Sequence, residues 1–105
     1  MRRIDDYRDM TAVDAVREAI EAAKANESFH AILSLTEERA LARAADVDAG
    51  TVSGRLAGVP FIAKDNFLTF GSATTAASRM LENFEAPLQA TAIERLEAEG
   101  AICIG

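Results

Sequence analysis

The sequence has few of the residues that mark specialised classes of protein. Among its 105 residues there is no tryptophan, and there are two prolines, one cysteine and one histidine. A single cysteine excludes a disulfide within the chain, and the apolar run around Cys103 favours a buried thiol that packs as a small hydrophobic group. His30 lies in a short alternating segment, which favours a solvated or hydrogen-bonded side chain over a general base.

Long apolar runs and an excess of positive charge are also absent. No stretch approaches the roughly 18–20 apolar residues of a membrane span, and acidic residues follow Arg2 and Arg3 where a signal peptide needs an apolar core. The 17 acidic residues outnumber the 11 basic ones, which argues against a large nucleic-acid footprint on this segment. Half of the residues are hydrophobic, so we expect one folded, soluble, cytoplasmic domain at most, with no membrane partner.

The spacing of the apolar residues predicts an α/β fold. Helices are predicted over 11–25, 36–45 and 87–99, with Thr11 and Thr36 as N-caps and Gly100 after the last turn. Strands are predicted over 29–35, 59–63 and 101–104, separated by loops at 46–58 and 67–78 and a short helical turn at 78–83. The order strand, helix, glycine, strand over 59–104 is typical of a parallel β-α-β crossover.

Lys64 is the one charged residue that this pattern leaves unexplained. It follows the apolar run 59–63, which reads as a central strand covered on both faces, and it precedes Asp65 and Asn66. The local pattern favours a strand end at which Lys64 reaches solvent with Asp65 as its ion-pair partner. The alternative is that burial brings its pKa well below about 10.4, so that the neutral amine acts as a base beside a serine hydroxyl.

The remaining candidates for a chemical site are weak. Ser72 and Ser78 lie in the small-residue loop, but none of the serines sits in a Gly-Ser-Gly type turn that would expose a nucleophile. Asp65 with Glu82 or Glu85 does not have the spacing of a metal site, and no glycine-rich phosphate loop is present.

Three stretches together resemble the amidase signature family. Residues 54–66 read GRLAGVPFIAKDN, residues 74–84 read TTAASRMLENF, and residues 90–105 complete the order and spacing. Within the family the second stretch is most similar to the glutamyl-tRNA(Gln) amidotransferase branch. The resemblance implies the N-terminal part of a mixed β-sheet flanked by helices on both faces. It predicts one partial domain over 1–105, with a helical N-terminal region at 11–48 and the start of the amidase core at 54–105.

The resemblance also implies a catalytic mechanism. In this family a lysine, a serine in a cis peptide and a nucleophilic serine form a triad, and the matching residue in this sequence is Lys64, with Asp65 and Asn66 in supporting positions. The implied reaction is hydrolysis of glutamine, whose ammonia converts Glu-tRNA(Gln) to Gln-tRNA(Gln). The implied partners are subunits B and C of the complex. The resemblance implies that a partner subunit uses ATP and Mg²⁺ and binds most of the tRNA, and that this chain holds no metal or cofactor.

Both triad serines of the family lie downstream of the position that matches residue 105. We therefore expect the chain alone to be inactive, whether it is a truncated product, half of a split protein or a natural short protein. Two other interpretations stay open. One is part of an amidase that acts on a different carboxamide, and the other is a non-catalytic module that associates with itself through an exposed apolar strand at 101–104.

Overall fold

A computed structural model describes residues 2–105 as three α-helices and two short parallel strands. The helices are α1 (Ala12–Ala25), α2 (Glu37–Asp48) and α3 (Thr91–Ala98), and the strands are β1 (Pro60–Phe61) and β2 (Ile102–Cys103). Short 3-10 helices cover Ile4–Asp9, Glu27–Phe29 and Arg79–Leu81. Pro60 pairs with Ile102 and Phe61 with Cys103 in a parallel register, and α3 lies between the strands in sequence. The predicted β-α-β crossover is therefore confirmed.

The helix ends confirm one of the two predicted N-caps. The Thr11 hydroxyl accepts a hydrogen bond from the backbone N of Asp14 at 3.2 Å, as an N-cap does. Thr36 precedes α2 but donates its hydroxyl to the carbonyl of Cys103 at 3.1 Å, so it fastens the helix to β2 and does not cap it. The prediction that the third helix begins at Pro87 is wrong, because α3 begins only at Thr91.

Gly100 ends α3 and turns the chain directly into β2. Its φ of +89° is one that a side chain disfavours, and a Cβ on it would lie 2.7 Å from Cα of Ala57. The backbone N of Gly100 donates to the carbonyl of Glu97 at 2.9 Å, and that of Ala101 donates to Leu96 at 3.1 Å. These two bonds form a Schellman motif, which satisfies carbonyls that the helix itself leaves free.

The predicted strand over 29–35 is wrong. The segment begins with the turn Glu27–Phe29, His30 adopts a left-handed conformation with φ of 51°, and the chain then runs irregularly to Thr36. Phe29 and Leu33 are each 75% exposed, so alternation of apolar residues did not place one face in the core. The first strand-like hydrogen bond comes after the segment, where the backbone N of Thr36 donates to the carbonyl of Ile104 at 2.9 Å.

The core lies where α1 and α2 pack on β2. Its buried members are mostly small or branched apolar side chains: Ala12, Val16, Ile20, Ala40, Ala44, Ile102 and Ile104. The alternative of a self-associating module assumed an exposed strand at 101–104, and that assumption is wrong, because residues 101–104 are all buried and Thr36 bonds to Cys103 at the strand edge. The expectation that 59–63 is covered on both faces is also wrong. Phe61 is half-buried and Ile62 is 51% exposed, although α1 contacts β1. Within residues 2–105 no helix combines the length and apolarity that crossing a bilayer requires.

Candidate functional site

A cleft of about 390 Å³ opens at the carboxyl ends of the two parallel strands. The residues that follow β1, including Lys64 and Asp65, form one wall, and Gly105 after β2 forms another. The segments 31–34 and 67–74 complete the lining. Sites in open α/β sheets lie outside the carboxyl ends of the strands, and this volume is within the range of small-molecule sites.

Lys64 has a fixed backbone and a free ammonium group. The backbone N of Ala63 donates to the carbonyl of Gly105, and the backbone N of Phe67 donates to the carbonyl of Lys64, both at 2.9 Å. The Lys64 side chain is exposed on the cleft wall and makes no ion pair with any of residues 2–105. The local pattern favoured a Lys64 that reaches solvent, and among the described residues it does so.

Asp65 is not the ion-pair partner of Lys64 that the local pattern favoured. Its Oδ1 accepts a hydrogen bond from the backbone N of Thr75 at 2.8 Å, and its Oδ2 accepts one from the Thr75 hydroxyl. These bonds lower the pKa of the Asp65 carboxyl, and the nearby charge of Lys64 adds only a small effect in the same direction. The carboxylate is thus ionised at neutral pH and committed to Thr75.

The turn that Asp65 binds contains two unusual backbone conformations. Ala76 and Ala77 have φ values of 49° and 59°, in the left-handed region that residues with a Cβ seldom adopt. The backbone N of Ala76 donates to the carbonyl of Asp65 at 2.9 Å, and that of Ser78 donates to the carbonyl of Thr75 at 2.8 Å. The turn is therefore held to the strand end by bonds to both the side chain and the backbone of Asp65.

The serine and asparagine candidates separate in the structure. Ser72 lines the same cleft as Lys64, whereas Ser78 accepts from the backbone N of Met80 at 3.3 Å and caps the turn Arg79–Leu81. Asn66 is exposed, and so is His30, which lies outside the cleft lining. In the described part of the chain the structure assembles no group of three or more carboxylate, imidazole and thiol side chains of the kind that holds a metal.

A buried polar cluster behind the cleft escaped the sequence reasoning. Arg39 donates two bonds to the Glu97 carboxylate, at 2.7 and 3.1 Å, and Gln89 donates to the same carboxylate at 2.9 Å. Gln89 in turn accepts from the backbone N of Phe70 at 3.2 Å, beside the cleft-lining residues Thr69 and Ser72. The cluster therefore ties α2 and α3 to the loop that forms the cleft wall.

Glu97 is only 7% exposed, yet it is charged. Burial opposes its ionisation, but the hydrogen bonds from Arg39 and Gln89 outweigh burial and hold the pKa of Glu97 below its ordinary value. A signal for it was present, because Glu97 follows the buried Ile93 by four positions and so shares its face of α3. A carboxylate on a buried helix face requires a cationic partner.

Comparison with known proteins gives consistent matches. The protein family described as Amidase matches residues 14–105. The A subunit of the glutamyl-tRNA(Gln) amidotransferase from Gloeobacter violaceus is 45% identical over 103 residues, which cover 93% of this chain and 21% of that protein. The protein of the same name from Thermosynechococcus vestitus is 46% identical over 87 residues, covering 79% and 18%. The chain thus spans about a fifth of the length of these relatives.

Solved structures match the fold over nearly the whole chain. A protein from a vestigial complex, described in relation to the origins of an s-triazine catabolic enzyme, superposes with a TM-score of 0.90 at 29% identity. The match covers 100% of this chain and 25% of that one. The A subunit of the glutamyl-tRNA(Gln) amidotransferase from Thermotoga maritima superposes with a TM-score of 0.66 at 24% identity, covering 95% and 23%. A bacterial aryl acylamidase has the same fold, with a TM-score of 0.87 at 19% identity.

Proposed function

The chain belongs to the amidase family, and from that premise we propose that it forms the lysine-bearing portion of a glutamine-hydrolysing amidase site. The observation that carries the proposal is the position of Lys64. Its amine is unpaired within residues 2–105 and stands at a cleft between the carboxyl ends of two parallel strands. The names of the curated relatives support glutamyl-tRNA(Gln) amidation as the use of the ammonia released.

In the proposed reaction Lys64 moves protons and forms no bond to substrate. The hydroxyl of a nucleophilic serine attacks the carboxamide carbon of glutamine, and its proton passes through a bridging serine to Nζ of Lys64. The same proton returns to the leaving nitrogen, ammonia departs and an acyl-enzyme remains, which water hydrolyses to glutamate. We assign both serines to the part of the fold beyond this fifth of the relatives' length, so these residues alone are not expected to hydrolyse glutamine.

The proposed assembly places the other chemistry on partner subunits. Ammonia passes to a partner that activates Glu-tRNA(Gln) with ATP and Mg²⁺ and makes most of the contacts with tRNA. The formal charge of −6 on this chain agrees with that division, because a tRNA footprint needs basic side chains. We expect subunits B and C of the amidotransferase in these roles, and a cytoplasmic complex.

A second candidate is hydrolysis of a different carboxamide. It is favoured by the superposition with the s-triazine-related protein, whose TM-score of 0.90 exceeds the 0.66 of the amidotransferase protein from Thermotoga maritima. The higher sequence identity to the curated amidotransferase subunits, 45% against 29%, favours glutamine. Lys64 has the same role in both candidates, and the substrate distinguishes them.

The test is a chimera in which residues 14–105 replace the matching stretch of the Gloeobacter violaceus protein, assayed with the partner subunits of that protein. We expect glutamine-dependent ammonia release, and Lys64→Ala should lower it by about a thousandfold or more, as loss of a triad member does. Lys64→Arg should be equally inactive, because a guanidinium does not give up its proton. Lys24→Ala is the matched control, since Lys24 lies on α1 in an exposed ion pair with Glu37.

Several outcomes decide the proposal. Full activity of the Lys64→Ala chimera would remove Lys64 from the mechanism. An assembled chimera that cleaves other carboxamides and not glutamine would establish the second candidate. An assembled chimera with neither activity would overturn both. A smaller graft of residues 54–78 gives the same comparisons if the larger chimera does not assemble.

A further inference from the structure

We propose that Asp65 and Thr75 form a latch that positions Lys64, an inference that rests on the proposed role of Lys64 as the proton carrier. Asp65 directly follows Lys64 and accepts two hydrogen bonds from Thr75, one from the backbone N at 2.8 Å and one from the hydroxyl. Neither residue contacts the substrate in this proposal. Both are positioning residues that act through the backbone of Lys64.

The latch completes the restraint of the chain on either side of Lys64. Upstream, Ala63 continues the strand pairing with Gly105, and downstream the carbonyl of Lys64 accepts from Phe67. Asp65 lies between these two bonds, and its side chain and carbonyl are both bonded to the turn that begins at Thr75. With the backbone fixed at each step, only the side-chain torsions of Lys64 are left to vary in the cleft.

The latch also keeps the Asp65 carboxylate away from the ammonium group. An aspartate next to a lysine at the mouth of a cleft is its nearest available counter-ion. Here both carboxylate oxygens are used by Thr75, and no ion pair with Lys64 forms among residues 2–105. The amine therefore stays available to the cleft, as a proton carrier requires.

Backbone strain next to the latch supports a functional role. Ala76 and Ala77 are consecutive left-handed residues that each carry a Cβ, a conformation that costs on the order of 1–2 kcal/mol per residue. Strain of this kind persists only where surrounding contacts impose it, and it concentrates at functional sites. The contacts that impose it in this turn are the bonds from Thr75 and Ala76 to Asp65.

The kinetic test uses the chimera with the Gloeobacter violaceus protein. Asp65→Asn leaves one acceptor oxygen facing two donors of Thr75, and Thr75→Val removes the hydroxyl donor while keeping the shape. We expect kcat to fall about 10- to 100-fold in Asp65→Asn and about tenfold in Thr75→Val, with KM within about twofold, because misplacement of about 1 Å can cost a factor of about a hundred. Thr75→Ser keeps both donors and should stay near the parent rate.

The double variant tests whether the two residues act as one unit. Asp65→Asn combined with Thr75→Val should be close to the slower single variant, because both changes weaken the same contact between the two residues. The matched control is Asp48→Asn. Asp48 also accepts two backbone bonds, from Ala12 at 2.7 Å and Val13 at 3.1 Å, but it lies outside the lining of the cleft. This control should lower stability and leave kcat unchanged.

The structural test uses the 105-residue chain itself. In Asp65→Asn the backbone amides of Thr75 and Ala76 should exchange with solvent at least about tenfold faster, while those of α1 are unchanged. Parent kcat in both Asp65→Asn and Thr75→Val would overturn the latch, and so would an equal loss in Asp48→Asn. If Lys64→Ala retains activity, the proposed function fails. If Lys64→Ala is inactive while the latch variants are normal, the latch alone fails.

Discussion

Glu97 receives both arms of the Arg39 guanidinium, at 2.7 and 3.1 Å, from a position on α3 that is only 7% exposed. The pair joins two helices that are far apart in sequence, and Gln89 adds a third bond to the same carboxylate. A buried carboxylate with three donors is tolerated in the fold, whereas one that loses its cation is left charged without compensation. The stability of the cleft wall therefore depends on this pair.

Arg39→Met should destabilise the chain by roughly 2 kcal/mol, below the 3–5 kcal/mol of fully buried pairs because Arg39 is partly exposed. Urea denaturation followed by circular dichroism measures the change. Arg55→Met is the matched control, since Arg55 pairs with Glu99 at the surface with its side chain 87% exposed, and it should change little. Equal losses in the two variants would show that burial of the Arg39–Glu97 pair does not matter.

Acid should destabilise the fold through Glu97. The pKa of Glu97 is lowered in the folded chain, because the hydrogen bonds from Arg39 and Gln89 outweigh the effect of burial. Ionised Glu97 therefore contributes stability at and above its unfolded pKa of about 4.3. That contribution is lost as the pH falls through the lower folded value. Unfolding free energies measured from pH 7 down to pH 2 should fall more steeply in the parent than in Glu97→Gln. Parallel curves would contradict the shift.

Ala77→Gly should stabilise the chain by roughly 0.5–1 kcal/mol. Glycine relieves the cost of a left-handed conformation at φ 59°, which exceeds the entropy that glycine loses on folding. Ala22→Gly, at an exposed position inside α1, is the opposite control and should cost about 1 kcal/mol. Thermal unfolding should show a higher midpoint for Ala77→Gly and a lower midpoint for Ala22→Gly. Destabilisation by Ala77→Gly would mean that the turn is not strained.

Gly100→Ala should be much more harmful than Gly50→Ala. Both glycines have φ values between 80° and 89°, so both substitutions carry the conformational cost of about 1–2 kcal/mol. A Cβ at Gly50 meets nothing within 4 Å, whereas one at Gly100 lies 2.7 Å from the backbone of Ala57. The difference between their urea midpoints isolates the clash. Similar midpoints would show that the chain near Ala57 moves away freely.

Local signals in the sequence predicted local structure well. Thr11 and Gly100 were recognised as helix ends because capping depends on residues within one turn. The position of Lys64 after a strand of a β-α-β unit was enough to place it at the carboxyl edge of the sheet, where the cleft lies. The same reasoning failed for 29–35, because alternation predicts a strand only where a neighbouring strand exists to pair with it.

The partners of the charged side chains could not be predicted from the sequence. Asp65 was expected to pair with its neighbour Lys64, but its carboxylate bonds to Thr75, ten residues later in an irregular loop. Arg39 and Glu97 are 58 residues apart, and no local pattern indicates that α2 and α3 bring them together. Such pairs depend on the tertiary fold, which periodicity and capping rules do not describe.

The parallel pairing of β1 with β2 has a consequence for the order in which the site forms during synthesis. Pro60 and Phe61 meet partners about 40 residues later in the chain, at Ile102 and Cys103. Lys64 is therefore synthesised about 40 residues before the strand that fixes its backbone. Before β2 has been made, α1 and α2 can pack against each other, but the cleft beside Lys64 cannot form. The lysine of the proposed site is thus among the last residues of this segment to be placed, because its backbone is fixed only after residues 102–105 have been made.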